Sequence, residues 1–195
     1  IKDIDTWLSG YDDELKAKTG RTLRGIACHA LNLDESQFAK RLPRIYVGVV
    51  PIASGQGIIG GFSTSVRAIA SHIGAKAFVT RRSDVAGIAE AAEKGADVIL
   101  MADDHRFVAL NIREGRTVDN AEATAHGFVA GLDLVTCGLA RKDVLVIGCG
   151  PVGRHSVFAA LARGAYVSVF DTDSERTTRL YNEVLETRNV RITIE

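Results

Sequence analysis

The segment VLVIGCGPVG, residues 144–153, restricts the fold of this 195-residue chain more than any other stretch. Val144, Leu145, Val146 and Ile147 form an apolar run of strand length that enters a turn with glycines at 148, 150 and 153. Residues 152–163 then read as a helix, and AYVSVF (165–170) as a second strand. Asp171 closes that strand, 18 residues beyond Gly153. Strand, glycine turn, helix and strand in that order make a parallel βαβ unit, because the crossover helix must return the chain to the same end of the sheet. Each glycine answers a steric need: Gly148 allows a tight turn, Gly150 a close approach of backbone to a ligand, and Gly153 contact between helix and strand. The helix start offers unpaired N–H groups and the positive end of its dipole to phosphate. An acid in the position of Asp171 accepts from a ribose 2′-OH and repels a 2′-phosphate, so the expected cofactor is NAD rather than NADP.

Upstream lies a second α/β unit. Residues 1–20 read as an amphipathic helix on the spacing of Ile4, Trp7, Leu8, Tyr11 and Leu15, with Trp7 in or over the core. IYVGVVPI (45–52) is a strand, 64–73 a helix with Ser63 as N-cap, and KAFVT (76–80) a strand. Residues 85–94 form an alanine-rich helix stopped by Gly95, and DVILMA (97–102) is a third strand. The pattern is βαβαβ, hence a small parallel sheet. Residues 121–139 read as one long helix, with Asn120 as its cap, that joins this unit to the cofactor unit. The expected organisation is an N-terminal helical segment and α/β substrate domain over 1–120, a connecting helix over 121–140, and a Rossmann-type NAD domain over 141–195. The last of these ends at a third strand (189–195), so the sequence supplies the first mononucleotide half and reads as a fragment of a longer fold.

In an open parallel sheet, ligands bind beyond the carboxyl ends of the strands. Three features meet there in the first unit: the glycine-rich loop 54–61, Arg81 with Arg82, and Asp103 with Asp104. The loop contains a second GxGxxG at Gly55, Gly57 and Gly60, but Pro51, Ile52, Ala53 and Ser54 separate it from the strand's β-branched core and no acid follows where a ribose would want one. Its backbone N–H groups suit a substrate carboxylate better than a second nucleotide. Adjacent carboxylates after an apolar strand are expected to differ in solvation, one of them holding a substrate ammonium or taking its proton. The competing reading is that Asp103 and Asp104 only cap the turn that follows.

Composition excludes more than it identifies. With 24 basic and 24 acidic residues the net charge is zero, which argues against a nucleic-acid or anionic-membrane footprint. No apolar run reaches the roughly 20 residues of a membrane span, and the charged amino terminus is unlike a signal peptide. Cys28, Cys137 and Cys149 lack metal-ligand spacing and read as reduced thiols, pointing to the cytoplasm. His29, His72, His105 and His126 show no HxxxH-type spacing, so no metal is expected.

VGVVPIASGQGIIGGF, ADVILMADDHRF, TVDNAEAT and DVLVIGCGPVG with its later FDTD together resemble the PylD family of pyrrolysine-biosynthesis dehydrogenases, over nearly all of residues 20–175. The resemblance implies NAD-dependent oxidation of 3-methylornithyl-N6-lysine at the carbon bearing its terminal amine, release of ammonia, and closure to the pyrroline ring of pyrrolysine. It also implies substrate contacts at Ser54, Ile58, Ala102 and Asp103, and cofactor contacts at Gly150, Pro151, Val152 and Asp171. On this reading Asp103 orients the reacting amine and assists its deprotonation, and Ser54 fixes it by a hydrogen bond. The expected partner is a small lysine-derived amide; a homodimer is left open. Two alternatives stand beside it: a non-catalytic NAD-binding module, and another NAD-dependent amino-acid or folate-type dehydrogenase. The latter wants a catalytic lysine, for which Lys76 and Lys94 are poorly placed.

Overall fold

The computed structural model describes residues 4–55, 57 and 60–195. These divide into two compact units, residues 1–120 and 121–195.

The first unit begins with helices α1 (Ile4–Thr19), α2 (Leu23–Ala30) and α3 (Glu35–Arg41). Thr22 and Asp34 cap the second and third by accepting backbone N–H bonds from Gly25 and Gln37, as short polar side chains do at such ends. Leu8 anchors α1 with 2% of its surface exposed, whereas Trp7 is 53% exposed and stacks on Tyr11 at the surface. The buried stripe of α1 therefore runs through Leu8, and the expected core or cover place for Trp7 is corrected.

Strands β1 (Tyr46–Val50), β2 (Lys76–Val79) and β3 (Val98–Ala102) are parallel, with β1 between the other two. Helix α4 (Phe62–Ile73) crosses from β1 to β2, and α5 (Asp84–Glu93) from β2 to β3. Val49 and Val50 are buried at 2%, as a strand flanked on both sides requires. The expected all-parallel sheet is corrected at its far edge. Strands β4 (Phe107–Asn111) and β5 (Arg116–Asp119) add antiparallel to β3, giving the order β2-β1-β3-β4-β5. Tight turns make this possible: Asp103 closes the turn from β3, and Asn111 accepts the Glu114 N–H in the four-residue turn before β5, with Gly115 at φ 61°. The start of α4 also differs from expectation. Gly61, at φ 82°, is its N-cap, and Ser63 lies inside the helix.

The second unit opens with α6 (Asn120–Val135). Asn120 is its first helical residue rather than a cap outside it, and the helix ends before the expected residue 139. A Schellman-type stop explains the end: the Gly138 N–H bonds to the Asp133 carbonyl at 2.7 Å, with the preceding Cys137 left-handed at φ 55°. Strands β6 (Asp143–Ile147), β7 (Tyr166–Phe170) and β8 (Thr193–Ile194) are parallel in that order, joined by α7 (Pro151–Ala162) and α8 (Ser174–Arg188). The last strand is two residues long rather than the expected seven. Val157, Val169 and Val184, all fully buried, centre the core of this unit. No helix among the described residues is long and apolar enough to cross a membrane.

Candidate functional site

In the first unit the carboxyl ends of β1 and β3, Ser54 and Gly57 of the glycine loop and the start of α4 line a cleft of about 250 Å³. Ser54, Ala102, Asp103 and Asp104, four of the residues expected to bind substrate, line it. Ile58, the fifth, lies outside the described residues. Arg81 and Arg82 do not line the cleft; their backbone N–H groups bond instead to the Glu90 carboxylate.

The apolar wall comes from residues that sequence reading missed. Phe62 on α4 and Phe107 on β4 meet edge to face at 5.6 Å and both line the cleft. Phe62 was hidden by the expected later helix start, and Phe107 by the unrecognised hairpin.

The two aspartates do different work. Asp103 Oδ1 accepts the N–H groups of His105 (2.8 Å) and Arg106 (2.7 Å), so the turn-capping reading holds for that oxygen. These bonds favour the ionised form and hold the Asp103 carboxyl below its ordinary pKa. The expected difference in solvation between the two carboxylates is absent: Asp103 and Asp104 are both exposed. Asp104 packs against the glycine loop, where a Cβ at Gly55 would come within 2.2 Å of its Oδ2. Gly55, at φ 74°, is required by its backbone conformation, and a side chain there would also push Asp104 aside.

The other residue that sequence reading missed is Asp84, the first of α5. Its N–H donates to the Pro51 carbonyl (3.0 Å), and its Oδ1 accepts the Ala53 N–H (2.8 Å). No local signal in the sequence shows that this carboxylate reaches back 31 residues.

In the second unit the glycine turn fits a dinucleotide pyrophosphate. Gly148 sits at φ 95°, which a side chain would strain, and its N–H is held by the Phe170 carbonyl at 2.7 Å. A Cβ at Gly153 would lie 1.7 Å from the Gly148 carbonyl oxygen, so only glycine lets α7 meet the turn. A Cβ at Gly150 would meet nothing within 4 Å, leaving an open approach to the backbone. Gly150 is the N-cap of α7, with no side chain bonded there, and Pro151 starts the helix without an N–H of its own. The N–H groups of Val152 and Gly153 lie in the first turn, where a helix has no internal partner for them. Asp171 ties the end of β7 to this turn: Oδ2 accepts the Cys149 N–H at 2.6 Å, and Oδ1 the Asp173 N–H at 2.9 Å. Those two bonds keep its carboxyl below the ordinary pKa. All six residues expected at the cofactor are therefore grouped around one turn. Cys149 is buried within it, and burial raises its thiol pKa. Among the described residues no group of three His, Cys, Asp or Glu side chains is placed to hold a metal.

With this geometry in place, comparison with known proteins becomes specific. Residues 1–118 match the family described as pyrrolysine biosynthesis protein PylD, N-terminal domain. A pyrrolysine synthase of Methanosarcina barkeri is 37% identical over 180 residues, covering 90% of this chain and 65% of that protein. One from Methanosarcina acetivorans is 34% identical over 174 residues, covering 89% of this chain and 64% of that protein. The chain thus spans a little under two thirds of these relatives. Among solved structures, the ligand-free 5-ketofructose reductase of Gluconobacter sp. strain CHM43 is similar with a TM-score of 0.53 and 18% identity, over 77% of this chain and 62% of that one. That likeness concerns the α/β fold alone.

Proposed function

The chain belongs to the PylD family of pyrrolysine biosynthesis proteins, matched over residues 1–118, and from that premise we propose that it serves NAD-dependent oxidation of 3-methylornithyl-N6-lysine. The oxidised carbon is the one bearing the terminal amine. Ammonia leaves, and the resulting aldehyde closes onto the α-amine to form the pyrroline ring. The observation that supports this reading most is the cleft, lined by Ser54, Asp103 and Asp104 together with the apolar pair Phe62 and Phe107. Such a site suits a flexible alkyl chain ending in an ammonium.

Asp103 uses Oδ1 in the turn, and Oδ2 is the oxygen that takes the ammonium. Because Asp103 is held ionised, its role is to bind and orient the amine; water receives the proton. Ser54 supplies a second hydrogen bond, and Ala102 and the two rings exclude water from the alkyl chain. Gly150, Val152 and Gly153 hold the cofactor pyrophosphate through backbone N–H groups, with Pro151 shaping the turn and Asp171 accepting from the ribose. NAD, when bound, supplies the hydride acceptor. The balance is one primary ammonium, NAD⁺ and water giving an aldehyde, ammonium ion, NADH and a proton; ring closure returns the water. An amine and an aldehyde separated by so few bonds meet at high effective molarity, so the ring step asks little of the protein.

The test is NADH formation by the intact protein at alkaline pH with 3-methylornithyl-N6-lysine, with the product mass recorded. NADH formation with a product lighter than the substrate by one ammonia and two hydrogens is the expected result, the water taken up in hydrolysis being returned on ring closure. NADH binding without turnover would overturn the reading in favour of a non-catalytic module.

A further inference from the structure

Ser54 stands on an exposed loop with no regular structure of its own, so its position must be imposed from elsewhere. Loops that hold binding residues work only when a rigid scaffold fixes them. The scaffold here is α5. Its first residue, Asp84, bonds to the loop through both main chain and side chain, at Pro51 and Ala53, three residues and one residue before Ser54.

The same helix is pressed against the end of β1. A Cβ at Gly87 would fall 2.5 Å from the Arg82 carbonyl oxygen and 2.7 Å from Val50 Cγ1. One turn further, Glu90 accepts the N–H groups of both Arg81 and Arg82. Two carboxylates on one helix therefore hold the loops that follow β1 and β2. The backbone at Asp84 adds to the case. Its φ of 54° is a left-handed conformation that costs a non-glycine residue energy, and such strain persists where the surroundings impose it. Aspartate tolerates this conformation better than most residues.

We propose that Asp84 is a positioning residue for substrate binding, acting through the 51–54 backbone to set the Ser54 hydroxyl in the cleft. This rests on the substrate reading of that cleft. Asp84 does not line the cleft itself, so its effect must pass through the loop.

The test is a double-mutant cycle in the intact protein, with 3-methylornithyl-N6-lysine as the amine. Asp84→Gly removes the carboxylate while suiting the left-handed backbone, which keeps the variant folded. Ser54→Ala removes the hydroxyl. Each single change is expected to raise KM for the amine about tenfold, leave the NADH Kd unaltered, and move Tm by only a few degrees. The decisive result is the pair: Ser54→Ala with Asp84→Gly should be no worse than Ser54→Ala alone, because both remove one interaction. Asp84→Asn, which keeps an acceptor oxygen, should restore most of the affinity. Additive losses, or Asp84→Gly with unchanged KM beside an impaired Ser54→Ala, would overturn the positioning role and leave the cleft reading standing. Unchanged KM in Ser54→Ala would overturn the cleft reading itself.

Discussion

Three glycines in one turn make different demands, and the difference is measurable. At Gly153 the missing Cβ is a structural requirement, since the Gly148 carbonyl would overlap any side chain. Gly153→Ala is expected to destabilise the second unit by about 1–3 kcal/mol or more, as overpacking does, and urea denaturation followed by circular dichroism checks it. At Gly150 the space is open and the backbone, at φ −69°, is ordinary for any residue. Gly150→Ala is therefore expected to fold with the wild-type urea midpoint yet bind NADH about tenfold more weakly, because the methyl meets the pyrophosphate and not the protein. Fluorescence titration with NADH reads this directly, and a wild-type Kd would remove the turn from the cofactor reading. The fingerprint made both residues visible in the sequence, since its spacing encodes local sterics. It could not say which glycine serves the fold and which the ligand, because that depends on the carbonyl of Gly148 and the packing of α7.

At the scale of elements, α5 shows where sequence reading stops. Its extent was legible from alanine content and the closing Gly95, and β1, β2, β3, β6 and β7 from their apolar runs. Its function as a clamp was not, because Asp84 and Glu90 act on backbone groups that are remote along the chain or lie at the strand end. The β4–β5 hairpin was missed for another reason: residues 103–106 read as a turn with no strand assigned after it, and the turn signal at Asn111 and Gly115 was passed over. Without the hairpin, Phe107 had no place in the site. The clamp has a signature in pH. The Lys94 ammonium and the Arg81 and Arg82 N–H groups lower the Glu90 pKa from 4.5 to about 2. A carboxyl whose pKa falls on folding contributes stability that is complete above its unfolded value and is lost as pH falls through the folded one. Thermal melts across the acid range are therefore expected to show wild type ahead of Glu90→Gln at pH above 4.5, with the gap closing toward about pH 2. A gap that stays constant through that window would mean that Glu90 holds the loop through neutral hydrogen bonding alone.

For the whole chain, the two units divide the proposed reaction: residues 1–120 contain the amine cleft and residues 121–195 the cofactor turn. Changes in the first are expected to act on the amine alone and changes in the second on the dinucleotide alone. The pH dependence of turnover tests the proposed chemistry across both. Hydride can leave the carbon only once the neighbouring nitrogen is neutral, and an alkyl ammonium of this kind has a pKa of roughly 10. Asp103, held ionised below the ordinary carboxyl range by the His105 and Arg106 N–H groups, does not titrate near that value. The rate should therefore rise steadily into alkaline pH with a limb that belongs to the substrate. Asp103→Asn is expected to lower turnover by about 100-fold, the scale of a misplaced reacting group, to keep the same alkaline limb, and to leave NADH affinity intact. A lost or displaced limb in this variant would make Asp103 the proton acceptor after all, and a wild-type rate would remove it from the site.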